Sequence, residues 1–221
     1  MTVADPLKTP RAAAVAGLIF SVLLIAALVL LRLSTPADPH SPGAWLHDSA
    51  RRTAVAAGLN LVPFAGIAFL WFIGVVRDRI GGHEDRFFAT VFLGSGLLFV
   101  GMLFVAAALA GGLFAAVTRS SGVPGTDTLA AGRNATATLL NVYAMRMAAV
   151  FTLTTVTISR RVRILARWLG PAGIATAVLL LIGVGITPWV ELLFPLWVLA
   201  LSIDILVAGH ARAGSAVNPP G

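Results

Sequence analysis

"GVGITPW", residues 183–189, interrupts an apolar stretch that otherwise runs from residue 171 to residue 208. Its reading decides how many times the chain can cross a bilayer. As one helix, those residues would extend about 57 Å, nearly twice a hydrocarbon layer of about 30 Å. Pro188 cannot donate to a helix ladder, and Gly183 and Gly185 favour a turn, so a tight hairpin of two spans, 171–186 and 189–208, is expected.

Working outward, four more runs reach the roughly 20 apolar residues that a span needs: 12–31, 53–76, 87–117 and 137–158. The expected fold is all-α, a polytopic transmembrane helical bundle of six spans in one domain, residues 1–221. Composition agrees: 58% of residues are hydrophobic and 11% charged, against roughly a quarter charged in soluble domains. Lys8 and Arg11 precede the first run as they would in a signal peptide, but that run is long and Arg32 follows it without an A-x-A site. An uncleaved first span is therefore expected.

The net charge of +7 does not point to nucleic acid, because the basic residues sit at the ends of apolar runs. With the N-terminus inside, Lys8, Arg11, Arg77, Arg79, Arg86, Arg160, Arg161, Arg163, Arg167 and Arg212 fall on the cytoplasmic side. Arg32, Arg51, Arg52, Arg119 and Arg133 fall outside. This asymmetry predicts both termini in the cytoplasm. The connection "ISRRVRILARW", residues 158–168, places Arg160, Arg161, Arg163 and Arg167 among Ile and Leu, a pattern suited to anionic lipid at the inner leaflet.

Several chemistries lack their residues. Lys8, the single lysine, precedes the first run, so a Schiff base within the membrane is excluded. The chain has no cysteine, and His40, His47, His83 and His210 lie outside the apolar runs, which argues against thiolate metal sites and bis-histidine haem. "HED", residues 83–85, is a weak metal signal, since adjacent helical residues point in different directions. No metal, cofactor or catalytic residue is expected. No G-x-S-x-G, H-E-x-x-H or Walker loop is present, so no enzymatic reading has support.

What remains are the polar groups inside apolar runs: Asn60, Asn141, Tyr143, Arg146, Glu191 and Asp204. Arg146 is expected about 13 Å below the outer end of its helix, where a charge costs at least ~2.5 to 3.5 kcal/mol. Asp204 is expected to pair with it, with Asn60 or Tyr143 satisfying further donors, whereas Glu191 at the outer mouth of the last span can reach water. Thr152, Thr154, Thr155 and Thr157 form a polar stripe, although threonine can bond its own helix four residues back. The glycines at 58, 66, 74, 94, 96 and 101 suit close helix packing, within the chain or in an oligomer.

"LNLVPFAGIAFLWFIGVVRDRIGGHEDRFFATVFLGSGLLF", residues 59–99, and "LFPLWVLALSIDIL", residues 193–206, resemble functionally uncharacterised small multi-pass membrane proteins of actinobacterial type. The resemblance implies a bacterial plasma membrane and carries no catalytic or transport motif. Two functions stay open. One is a packing, assembly or envelope-associated membrane protein that oligomerises or joins a membrane complex. The other is a channel or carrier for a small ion or solute, built around Arg146 and Asp204.

Overall fold

The computed structural model describes residues 8–35, 48–80, 86–119, 126–162, 166–183 and 189–217. These residues are helical nearly throughout: α1 (Lys8–Ser34), α2 (Ser49–Ile80), α3 (Arg86–Arg119), α4 (Thr126–Ala137), α5 (Met145–Val162), α6 (Leu169–Ile182) and α7 (Leu193–Val217). A π-helical segment, Thr138–Ala144, fuses α4 to α5, and a single 3₁₀ turn, Val190–Leu192, leads into α7. Five helical stretches are long and apolar enough to cross a membrane: Ala12–Ser34, Ser49–Arg77, Phe87–Thr118, Thr128–Arg160 and Val190–Ala208. The chain is thus a helical protein built for a membrane. The remaining apolar helix, α6, has 14 residues and extends only about 21 Å.

The helices outrun the apolar runs at most ends, and local chemistry explains several boundaries. Asp48 caps α2, its Oδ1 accepting from the backbone N–H of Ala50 at 2.9 Å and of Arg51 at 3.4 Å. That cap starts the helix before the first apolar residue. Pro171 and Pro195 stand in the first turns of α6 and α7, where their missing N–H groups leave no helical bond unmade. Gly183 closes α6, its N–H donating to Leu179 O at 2.7 Å. The predicted turn after it, residues 184–188, lies outside the described residues, as do residues 36–47, 81–85 and 120–125.

Contacts at glycines set the order of packing. The Gly58 Cα faces Leu31 and Ala27 near the end of α1, while Gly17 in α1 is crossed by Phe72 of α2 and Ser202 of α7. Gly66 takes the ring of Phe104, Gly96 takes Ile73 and Phe151, and Gly132 takes Leu113. Consecutive long helices therefore run antiparallel, and α7 closes back on α1. Of the six glycines in α2 and α3 that the sequence offers for packing, Gly58, Gly66 and Gly96 serve contacts within the chain. A methyl group at Gly74, Gly94 or Gly101 would meet nothing within 4 Å.

At the centre lie phenylalanines from five helices. The ring of Phe69 stands 4.4 Å from Phe20, 5.3 Å from Phe99, 5.0 Å from Phe151 and 5.7 Å from Phe194, centroid to centroid. Phe92 extends the cluster by stacking on Phe151 at 4.7 Å. Tilted and edge-on rings at these separations are the favoured aromatic geometries. α6 lies outside this cluster, held to α5 and α7 through Gly173, against which both Val156 and Trp197 press. Trp197 Nε1 donates to Leu169 O at 3.3 Å.

Candidate functional site

The polar residues of the apolar helices separate into an inner set and an outer set. In the inner set, Arg32 at the last turn of α1 forms an ion pair with Glu191 in the 3₁₀ turn before α7. The Glu191 side chain is 4% exposed and that of Arg32 is 32% exposed. Helical side chains slant toward their own N-terminus, which carries the guanidinium of Arg32 back from the end of α1 into the bundle. The Arg32 Cζ also stands 5.8 Å from the centroid of the Trp189 ring, within cation–π range. One carboxylate oxygen, Glu191 Oε2, is buried without a hydrogen-bond partner.

The expected Arg146–Asp204 pair does not form. α5 and α7 run parallel, with Phe151 beside Phe194 at 6.1 Å and Val156 level with Trp197 across Gly173. Arg146 precedes Phe151 and Asp204 follows Phe194, so the two groups are displaced in opposite directions, by about 22 Å in all. Taking both helices as upright and their ends as level conceals this offset. Asp204 instead accepts from the backbone N–H of Ala166 at 3.2 Å, fixing the segment before α6 against α7. The expectation that Glu191 faces water also fails, because α1 covers it and supplies Arg32. Both Arg32 and Glu191 fall at the same end of the predicted bundle, and that shared end is the signal that could have paired them.

The outer set lies on α5 and its π segment. Arg146 is exposed and Tyr143 is 52% exposed. Among the described residues Arg146 makes no ion pair or hydrogen bond. It lies within one turn of the midpoint of the apolar run 137–158. Leu139, Tyr143, Arg146, Val150, Leu153 and Thr157 follow the three- and four-residue spacing of one helix face, and each is exposed or half-buried. The π segment ends two residues before Arg146; π turns set within α-helices are frequent at functional sites. Asn141 is half-buried within that segment. Asn60 is exposed on α2, where its Nδ2 donates to Ala56 O at 2.8 Å, and it gives Arg146 no help.

The threonine stripe is self-satisfied. Thr152, Thr154, Thr155 and Thr157 each donate to the carbonyl four residues back, at 2.7 to 2.8 Å. Ser21 and Ser202 do the same within α1 and α7. Of the basic run 158–168, which begins in the last turn of α5, Arg160 and Arg167 are exposed, while Arg163 and the side chain of Arg161 lie outside the described residues. No group of three or more His, Cys, Asp or Glu that could hold a metal occurs among the described residues. No family model, curated protein or solved structure matches this chain.

Proposed function

We propose that the chain is a multi-pass protein of a bacterial cell membrane that acts by assembling with other membrane-embedded helices, without catalysis. The observation that carries this reading is Arg146: a guanidinium near the middle of an apolar helical run, exposed on the outer face of the bundle and unpaired among the described residues. Facing lipid, such a group costs at least ~2.5 to 3.5 kcal/mol. Facing a neighbouring helix, it becomes a contact. The bundle centre supports the same reading, since it is filled with phenylalanine rings and its hydroxyls bond to their own helices.

Six crossings with both termini inside remain the preferred topology. α6 with its flanking residues 166–168 and 183 covers about 27 Å, enough to reach across a slightly thinned bilayer. Arg32 is neutralised by Glu191, and Arg51 lies 3.4 Å from Asp48, so the outer end carries less free positive charge than its arginine count suggests.

Extraction in mild detergent followed by mass measurement tests the proposal. A complex heavier than the monomer that reverts to monomer in Arg146→Leu is expected. The carrier reading draws on the unpartnered Oε2 of Glu191. Solute flux from liposomes containing a monomeric wild-type chain would establish that reading in place of assembly.

A further inference from the structure

The α5 face calls for a particular kind of neighbour. Resting on the assembly reading above, we infer that this face receives a transmembrane helix of a different protein, one carrying a carboxylate near its middle. The face is apolar except at three positions. Leu139, Val150 and Leu153 give it a surface that suits lipid or another helix, while Tyr143, Arg146 and Thr157 offer a phenol, a guanidinium and a hydroxyl. Thr157 is already engaged with Leu153 O. Arg146 is left with five donors and no acceptor among the described residues. A planar guanidinium is matched best by a carboxylate, which accepts two parallel hydrogen bonds.

A second copy of this chain cannot supply that carboxylate. In a symmetric dimer about the membrane normal each residue keeps its depth, so a partner's acid must lie near the level of Arg146. Glu191 is buried and paired with Arg32. Asp204 is committed to Ala166 N–H and is offset from Arg146 by about 22 Å along the parallel helices α5 and α7. Asp48 caps α2 beyond the apolar run, and the six other acidic residues, Asp5, Asp38, Asp78, Glu84, Asp85 and Asp127, likewise fall outside the apolar runs of the sequence. The acceptor therefore comes from another chain.

The probe is a synthetic polyleucine transmembrane peptide with one central Glu, compared with peptides carrying central Gln, central Leu, or Glu two turns off centre. The full chain, labelled through Thr128→Cys in this cysteine-free sequence, is reconstituted with each peptide in phosphatidylcholine vesicles, and association is read by energy transfer. The central-Glu peptide is expected to associate about 3- to 30-fold more tightly than the Gln and Leu peptides. That preference should vanish in Arg146→Leu and Arg146→Gln, and weaken when the Glu is moved off centre. Equal association of Glu and Gln peptides, or a preference that survives both variants, would overturn the inference. An Arg146-dependent homodimer indifferent to every peptide would overturn this partner class while leaving the assembly reading standing. Absence of both, with Arg146 responding only to added phosphatidylglycerol, would overturn both and identify a lipid contact instead.

Discussion

Removing Arg32 should damage the protein far more than removing its partner Glu191. The Glu191 side chain is 4% exposed and that of Arg32 is 32% exposed, so the two single deletions leave unequal orphans. Arg32→Leu strands a buried carboxylate of which one oxygen already lacks a partner; losing one member of a buried pair costs about 3 to 5 kcal/mol. Glu191→Leu strands an arginine that lies in the last turn of α1 and still faces Trp189. It can swing toward the interface, and a loss of about 1 kcal/mol or less is expected. The double variant replaces an ion pair with two apolar groups and should recover most of the Arg32→Leu loss. Reversible denaturation in mixed micelles, followed by far-ultraviolet circular dichroism, measures all three. Equal losses in the two single variants, or a double loss equal to their sum, would refute the coupling and the burial argument behind it.

Phe69→Ala removes the ring at the hub of the aromatic cluster and should cost about 3 to 5 kcal/mol, whereas Trp71→Ala, at a side chain 71% exposed, should fall within about 0.5 kcal/mol in the same denaturation. Gly17→Ala drives a methyl group into Ser202 and Phe72 and should cost about 1 to 3 kcal/mol; adding Ser202→Ala should return part of that, and a neutral Gly17→Ala would show that α1 and α7 do not cross there. Thr152→Val with Thr155→Val should change stability by less than about 1 kcal/mol and leave liposome permeability unaltered, because both hydroxyls bond their own helix; a change in solute flux would show that the threonine stripe lines a solute path.

The helical class and the positions of the apolar helices were legible because lipid imposes one rule on every residue of a span, and a run of about 20 apolar residues satisfies it visibly. Gly183 was legible as part of a turn, although the span before it was read on to residue 186 and α6 ends at Ile182. The pairing of charges was not. Depth read from residue counts assumes upright helices with level ends, and the parallel alignment of Phe151 with Phe194 shifts Arg146 and Asp204 apart by more than an arginine can span. The Asp48 cap lay in a stretch read as loop, since a cap involves two backbone donors and leaves no periodic trace. The π segment at Thr138–Ala144 has no compositional mark at all. Arg146 itself was conspicuous from the sequence; which way it faced depended on packing, which the apolar pattern of α5 leaves unspecified.

Photocrosslinking in intact cells tests most directly whether the α5 face is a contact. With benzoylphenylalanine in place of Tyr143, three residues from Arg146 on the same face, irradiation is predicted to give one discrete protein adduct, larger than the chain alone and smaller or larger than its dimer. That adduct should disappear when Arg146→Leu is added. Lipid adducts alone, unchanged by Arg146→Leu, would contradict the account and place the arginine against the bilayer.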